Sequence, residues 1–108
     1  MSKYRNVKTE LDGHTFDSKA EARRYADLKL LEHSGLIGDL ELQPRFDLVV
    51  TGVETVRIGA YVADFRYVDR QTGETITEDV KGKKTRVYSI KKKLVRALHG
   101  VEVVEISS

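Results

Sequence analysis

Apolar positions along this chain repeat with two periods, and the changes between them mark out its elements. Val7 to Phe16 is broken by Asp12-Gly13, a dipeptide suited to a two-residue turn, and reads as a short hairpin. Ser18 followed three residues later by Glu21 makes a capping box and opens a helix. Glu21, Tyr25 and Leu28 share one stripe of that helix, which runs to about His33 and stops at Ser34-Gly35. Period two then takes over. Phe46, Leu48 and Val50 alternate, and the β-branched and aromatic run Ala60 to Val68 predicts a strand buried on both faces. Asp69 to Glu74 is turn chemistry with Gly73 free to take a positive φ, and Thr75 to Lys81 is the returning strand. Val87, Ile90, Leu94 and Leu98 recur at helical spacing and predict the core side of a second helix, with Ser89, Lys92, Lys93 and Arg96 mostly opposite. Gly100 ends it, and Val101 to Ile106 forms a last strand. The order is helix, three strands, helix, strand, an α/β chain of the α+β kind.

With 108 residues the chain suits a single domain over 1–108, with an N-terminal arm or hairpin over 1–16 and the core over 17–106. A 40% hydrophobic, 33% charged composition fits a globular chain better than a disordered one. The lack of cysteine excludes disulfides and thiolate metal sites and agrees with a reducing cytoplasm. No apolar run approaches the roughly 20 residues that span a bilayer. Met-Ser-Lys-Tyr-Arg-Asn has no apolar stretch behind it, so no signal peptide is expected.

Charge changes the picture more. Between Lys81 and Arg96 lie eight basic residues and no acid; removing them from the net +2 leaves −6 on the rest of the chain. Such a stripe suits a polyanion partner, although a solvated helix face reads the same way on charge alone.

Strand parity decides which polar side chains meet. Asp79 and Lys81 share a face, while Glu78 and Val80 point the other way. If the turn is the four-residue loop Arg70–Gly73, Asp69 closes against Glu74 and Asp64 falls opposite Asp79. Opposed residues have Cβ atoms roughly 4.5–5.5 Å apart, and a one-residue slip would separate the pair. Two carboxylates face to face repel, and a shared divalent cation removes that penalty. Lys81, two residues after Asp79, can hold a water beside such a metal. The arrangement is that of a phosphodiesterase.

Tyr61-Val62-Ala63-Asp64-Phe65, followed by Asp79-Val80-Lys81-Gly82, resembles the signature of the PD-(D/E)xK nucleases. Phe16-Asp17-Ser18-Lys19-Ala20-Glu21-Ala22 is similar to the opening helix of the endonuclease I and transposon-end branches, and the whole chain resembles small phage-encoded members. The resemblance runs from Phe16 to Ile106, with Ala63 in place of the proline and Asp79 in place of a glutamate. It implies a restriction-endonuclease-like αβββαβ core, with a mixed central sheet flanked by helices. It assigns Asp64 and Asp79 to a Mg²⁺ or Mn²⁺ ion, with the main-chain carbonyl of Val80 completing the coordination. Lys81 goes to the attacking water, and Glu21 to a second metal or water contact.

Other residues carry weaker readings. Glu21 can instead cap the helix through the Ser18 amide. His14, His33 and His99 are scattered, with none at metal-ligand spacing. Gln43 either reaches the site or caps an edge, and Tyr88 belongs to the core or stacks on a base. Lys83, Lys84 and Arg86 suit backbone phosphates, as do Lys92, Lys93 and Arg96 on the second helix. The function expected is Mg²⁺-dependent endonuclease action on DNA, in recombination or repair of a phage or prophage within the host cytoplasm. Branched DNA such as a Holliday junction is favoured over linear duplex, because backbone contacts read shape rather than sequence. Symmetric cutting of two strands calls for a homodimer. A non-catalytic nucleic-acid-binding module with the same fold is the alternative.

Overall fold

The computed structural model describes residues 7–107, so the basic start Met-Ser-Lys-Tyr-Arg-Asn lies outside the described residues. Asp12 and Gly13 both take positive φ (53° and 77°), the geometry of a type I′ turn. They join β1 (Thr9–Leu11) to β2 (His14–Phe16) as the expected hairpin. Helix α1 (Lys19–His33) starts where the capping residue stands, with the Ser18 hydroxyl accepting the Glu21 N–H at 3.1 Å. Its end is a Schellman motif: Gly35 turns left-handed (φ 85°), and Gly35 and Leu36 donate to the Glu32 and Leu31 carbonyls. Ala22, Tyr25 and Leu28 bury its inner face.

The strands are more numerous than the pattern predicts. β3 (Ile37–Leu42), which the alternation did not announce, is the first strand of the main sheet. A register shift between Gly38 and Glu41, with Asp39 at φ 55°, interrupts its alternation and hides it. β4 (Arg45–Thr51) carries the Phe46–Leu48 alternation but pairs with β5 (Thr55–Val62) in a separate hairpin. The single strand expected over Ala60 to Val68 is divided into β5 and β6 (Phe65–Asp69) by a bend at Ala63-Asp64.

That bend keeps its register. Leu42 faces Phe65 and Arg45 faces Val62. Between them Gln43 N–H donates to the Asp64 carbonyl and Ala63 N–H to the Pro44 carbonyl, both at 3.0 Å. β3–β4 and β5–β6 are therefore one long ribbon, bent at the proline, which has no N–H for the ladder.

The central sheet runs β3-β6-β7-β8, with β7 (Thr75–Lys81) antiparallel to β6 and parallel to β8 (Val103–Ser107). Helix α2 (Arg86–His99) supplies the crossover a parallel pair requires. The chain is thus α+β, with a mixed sheet and two helices among the described residues. One apolar cluster forms between α1 and the sheet around Tyr25, Leu28, Phe65, Tyr67 and Val80. A second gathers Phe46, Leu48, Tyr61, Tyr88, Val95 and Val103 under α2. The buried face of α2 differs from the expected one. Tyr88 and Val95 go inside and Leu94 is half-buried, whereas Val87 and Ile90 are 62% and 51% exposed and Leu98 is exposed too. No helix among the described residues is long and apolar enough to cross a membrane.

Candidate active site

Pairing β6 with β7 sets the site's geometry. Asp69 N–H donates to the Glu74 carbonyl at 2.8 Å, so the turn has the four-residue span the sequence suggests. Phe65 stands opposite Glu78, and the same register carried one step further places Asp64 against Asp79. The two acids lock reciprocally onto the backbone. Asp64 N–H donates to Asp79 Oδ1 at 3.0 Å, and Val80 N–H donates to Asp64 Oδ2 at 2.7 Å. Asp79 is 1% exposed, and its Oδ2 has no hydrogen-bond partner among the described residues.

A buried, unpaired carboxylate oxygen is costly because desolvation penalises its charge. Burial pushes Asp79 up to about 6, against the opposing pull of Lys81 and the Asp64 amide. Burial also raises Asp64, with the Val80 amide and Lys81 opposing. Glu21 joins the group from α1. Burial, then the charges of Asp64 and Asp17, push it up to about 7, and Lys81 works against them. Glu21, Asp64 and Lys81 therefore share one electrostatic neighbourhood, with Asp79 behind Asp64. The Lys81 ammonium lies 4.6 Å from the centre of the Tyr88 ring, a cation–π contact that fixes its direction.

A cavity of about 260 Å³ opens over Glu21 and Asp64, with Gln43 also lining it and His14 and Thr15 of the N-terminal hairpin as its wall; Asp79 and Lys81 do not line it. Gln43 is left-handed (φ 52°) although it precedes a proline, where extended backbone is favoured. For a residue other than glycine that conformation costs roughly 1–2 kcal/mol.

Among the described residues no three His, Cys, Asp or Glu side chains form a ready-made metal cage. Mg²⁺ is usually held by one or two carboxylates, with waters and substrate phosphates filling the rest. The orphaned Asp79 oxygen next to Asp64 fits that demand.

Residues 1–104 match the family described as Protein of unknown function (DUF1064). The chain belongs to that family. No curated protein matches it. In this DUF1064 chain the expected phosphate contacts include residues engaged in ion pairs. Lys84 and Lys92 both bind Glu105, at 2.8 and 3.1 Å, and Arg96 pairs with Glu102 at 3.2 Å. Lys83, Lys84, Arg86, Lys93 and Arg96 are exposed, and Lys92 is half-buried. Glu105 also accepts the Tyr88 hydroxyl, and these three donors hold its carboxyl down to about 2. Tyr88 is buried, so it is a core residue and not a stacking platform.

Sequence reasoning missed Arg24. Its guanidinium grips Glu78 with two bonds, at 2.8 and 2.6 Å, and the Tyr67 hydroxyl donates to the same carboxylate. Glu78 thus faces α1, opposite in parity to Asp79, and is fully engaged there. A signal was available: a charged residue adjoining the acid pair, of the wrong parity for the site, needs a partner of its own.

Proposed function

We propose that this chain is a metal-dependent phosphodiesterase of the PD-(D/E)xK nuclease type. In this reading it is an endonuclease that cuts branched DNA as a homodimer, in the recombination or repair machinery of a phage or prophage, in the host cytoplasm. The observation that carries the reading is the Asp64–Asp79 pair: two acids pinned to each other's strand, with a buried Asp79 oxygen left unpartnered. A fold with no cation to bind has no reason to bury that charge.

Asp64 and Asp79, with the Val80 carbonyl and Glu21, would hold Mg²⁺ or Mn²⁺. When bound, the ion supplies charge against that developing on the phosphate. Lys81, steadied over Tyr88, orients the attacking water. Lys83, Lys84, Arg86, Lys92, Lys93 and Arg96 contact backbone phosphates and position the nucleic acid, Lys84, Lys92 and Arg96 by giving up their ion pairs to Glu105 and Glu102.

The test is incubation with linear, single-stranded and four-way DNA in Mg²⁺, Mn²⁺ or EDTA. Cleavage that needs the metal and is lost in Asp64→Asn and Asp79→Asn is the expected result. One observation favours binding without cleavage: both acids already accept backbone amides, as purely structural acids do. Metal-dependent thermal stabilisation separates the readings, because only a real site gains stability by mass action.

A further inference from the structure

We infer that Gln43 is a substrate-contacting residue, its amide donating to a phosphate oxygen of the bound DNA. This rests on the nuclease reading.

Three observations meet at this residue. Gln43 lines the same cavity as Glu21 and Asp64. Its N–H donates to the Asp64 carbonyl at 3.0 Å, so it sits directly across the ribbon from the acid. Its backbone is left-handed at φ 52° in front of Pro44.

The last point is the informative one. Asp12 and Asp39 also take positive φ, but aspartate tolerates that region through its short polar side chain. Gln43 has no such excuse, and glycine would make the same turn without strain. Non-glycine residues held in sparsely populated regions cluster at functional sites, where the side chain is needed despite its backbone.

The chemistry of the cavity says what the side chain is needed for. Glu21 and Asp64 give that wall acceptors and negative charge, which repel a phosphate diester. A neutral donor of middle length, set across from Asp64, can hold a phosphate oxygen there without adding a competing charge. The bend in the ribbon performs the aiming, as bulges beside active sites do.

Two variants test this, each read by melting temperature and by the dissociation constant for fluorescent four-way DNA, with Ca²⁺ replacing Mg²⁺. Gln43→Gly keeps the turn and removes the amide. It should melt at or above the wild-type temperature yet bind DNA roughly tenfold more weakly, the worth of one hydrogen bond to a charged group. Gln43→Glu keeps the shape and adds a charge, and should bind more weakly still. A glycine variant that binds and cuts like wild type overturns the proposal and leaves Gln43 as a turn residue. A glutamate variant that binds as well as wild type overturns it also, because a metal ligand and not a donor would then be wanted there. Wild-type protein that neither binds nor cuts DNA overturns the nuclease reading and this proposal with it. Cleavage by wild type alongside an unaffected glycine variant overturns this proposal alone.

Discussion

Asp79 is an acid held where its charge is poorly tolerated, and its behaviour without metal follows from that. Its ordinary value is 3.8 and burial lifts it to about 6, while Glu21 rises from 4.5 to about 7. The folded protein therefore keeps protons that the unfolded chain has released, and metal-free stability should fall as pH rises from about 4 to about 7. Urea midpoints in EDTA should be higher at pH 5 than at pH 7.5, with Mg²⁺ narrowing the gap. Glu105 acts in the opposite sense, but its contribution is lost only as pH falls from 4.5 towards 2. Asp79→Asn should raise metal-free stability at pH 7.5 by about 1 kcal/mol, the relief of a buried charge less the cost of an unpaired amide. The same change should cut cleavage by roughly a thousandfold, which corresponds to several kcal/mol of transition-state stabilisation. Urea melts and single-turnover assays check the two halves. Glu21→Gln separates cap from site: glutamine caps nearly as well, so lost activity at unchanged melting temperature favours the site. The opposed acids were legible because parity and turn length are simple counts. The strain at Gln43 was not, since nothing in Leu42-Gln43-Pro44 announces a left-handed residue.

Elements with clear punctuation were legible as well. Asp12-Gly13, Ser18, Gly35 and Gly100 each stand where a turn or helix end needs them. β3 was not legible, because its bulge breaks the alternation that would have marked it. The face of α2 was misread for another reason. Val87, Ile90 and Leu98 have the spacing of a core stripe, yet the ring of Tyr88 and the compact Val95 fill the space under the helix. The basic residues of this helix therefore differ in what they offer to DNA. Arg86→Gln and Lys93→Gln should each lower the log–log salt slope of binding by about 0.9 on duplex DNA. Lys92→Gln should do less, since Lys92 already spends its charge on Glu105. Equal slopes for all three variants would show that the ion pair opens on binding.

At the scale of the molecule, α2 leaves apolar side chains uncovered beside its basic ones. Val87, Ile90 and Leu98 are exposed, as are Val50 and Val56 on the β4–β5 hairpin. Light scattering tests the proposed homodimer, and a wild-type monomer would remove the dimer from the proposal. Arg24 has a wider reach. It lies one helical turn beyond Glu21 on α1, and through Glu78 it grips β7, the strand that carries Asp79 and Lys81. The helix and the strand cannot part without leaving a buried carboxylate unpaired, which is strongly destabilising. Amide hydrogen exchange should accordingly find α1, β6 and β7 opening as one cooperative unit, with a shared free energy close to that of global unfolding. The outer hairpin from Val50 to Val56 should exchange far sooner. The two halves of the proposed site, though distant in sequence, would then be lost and regained together, leaving no partly opened form with only one of them in place.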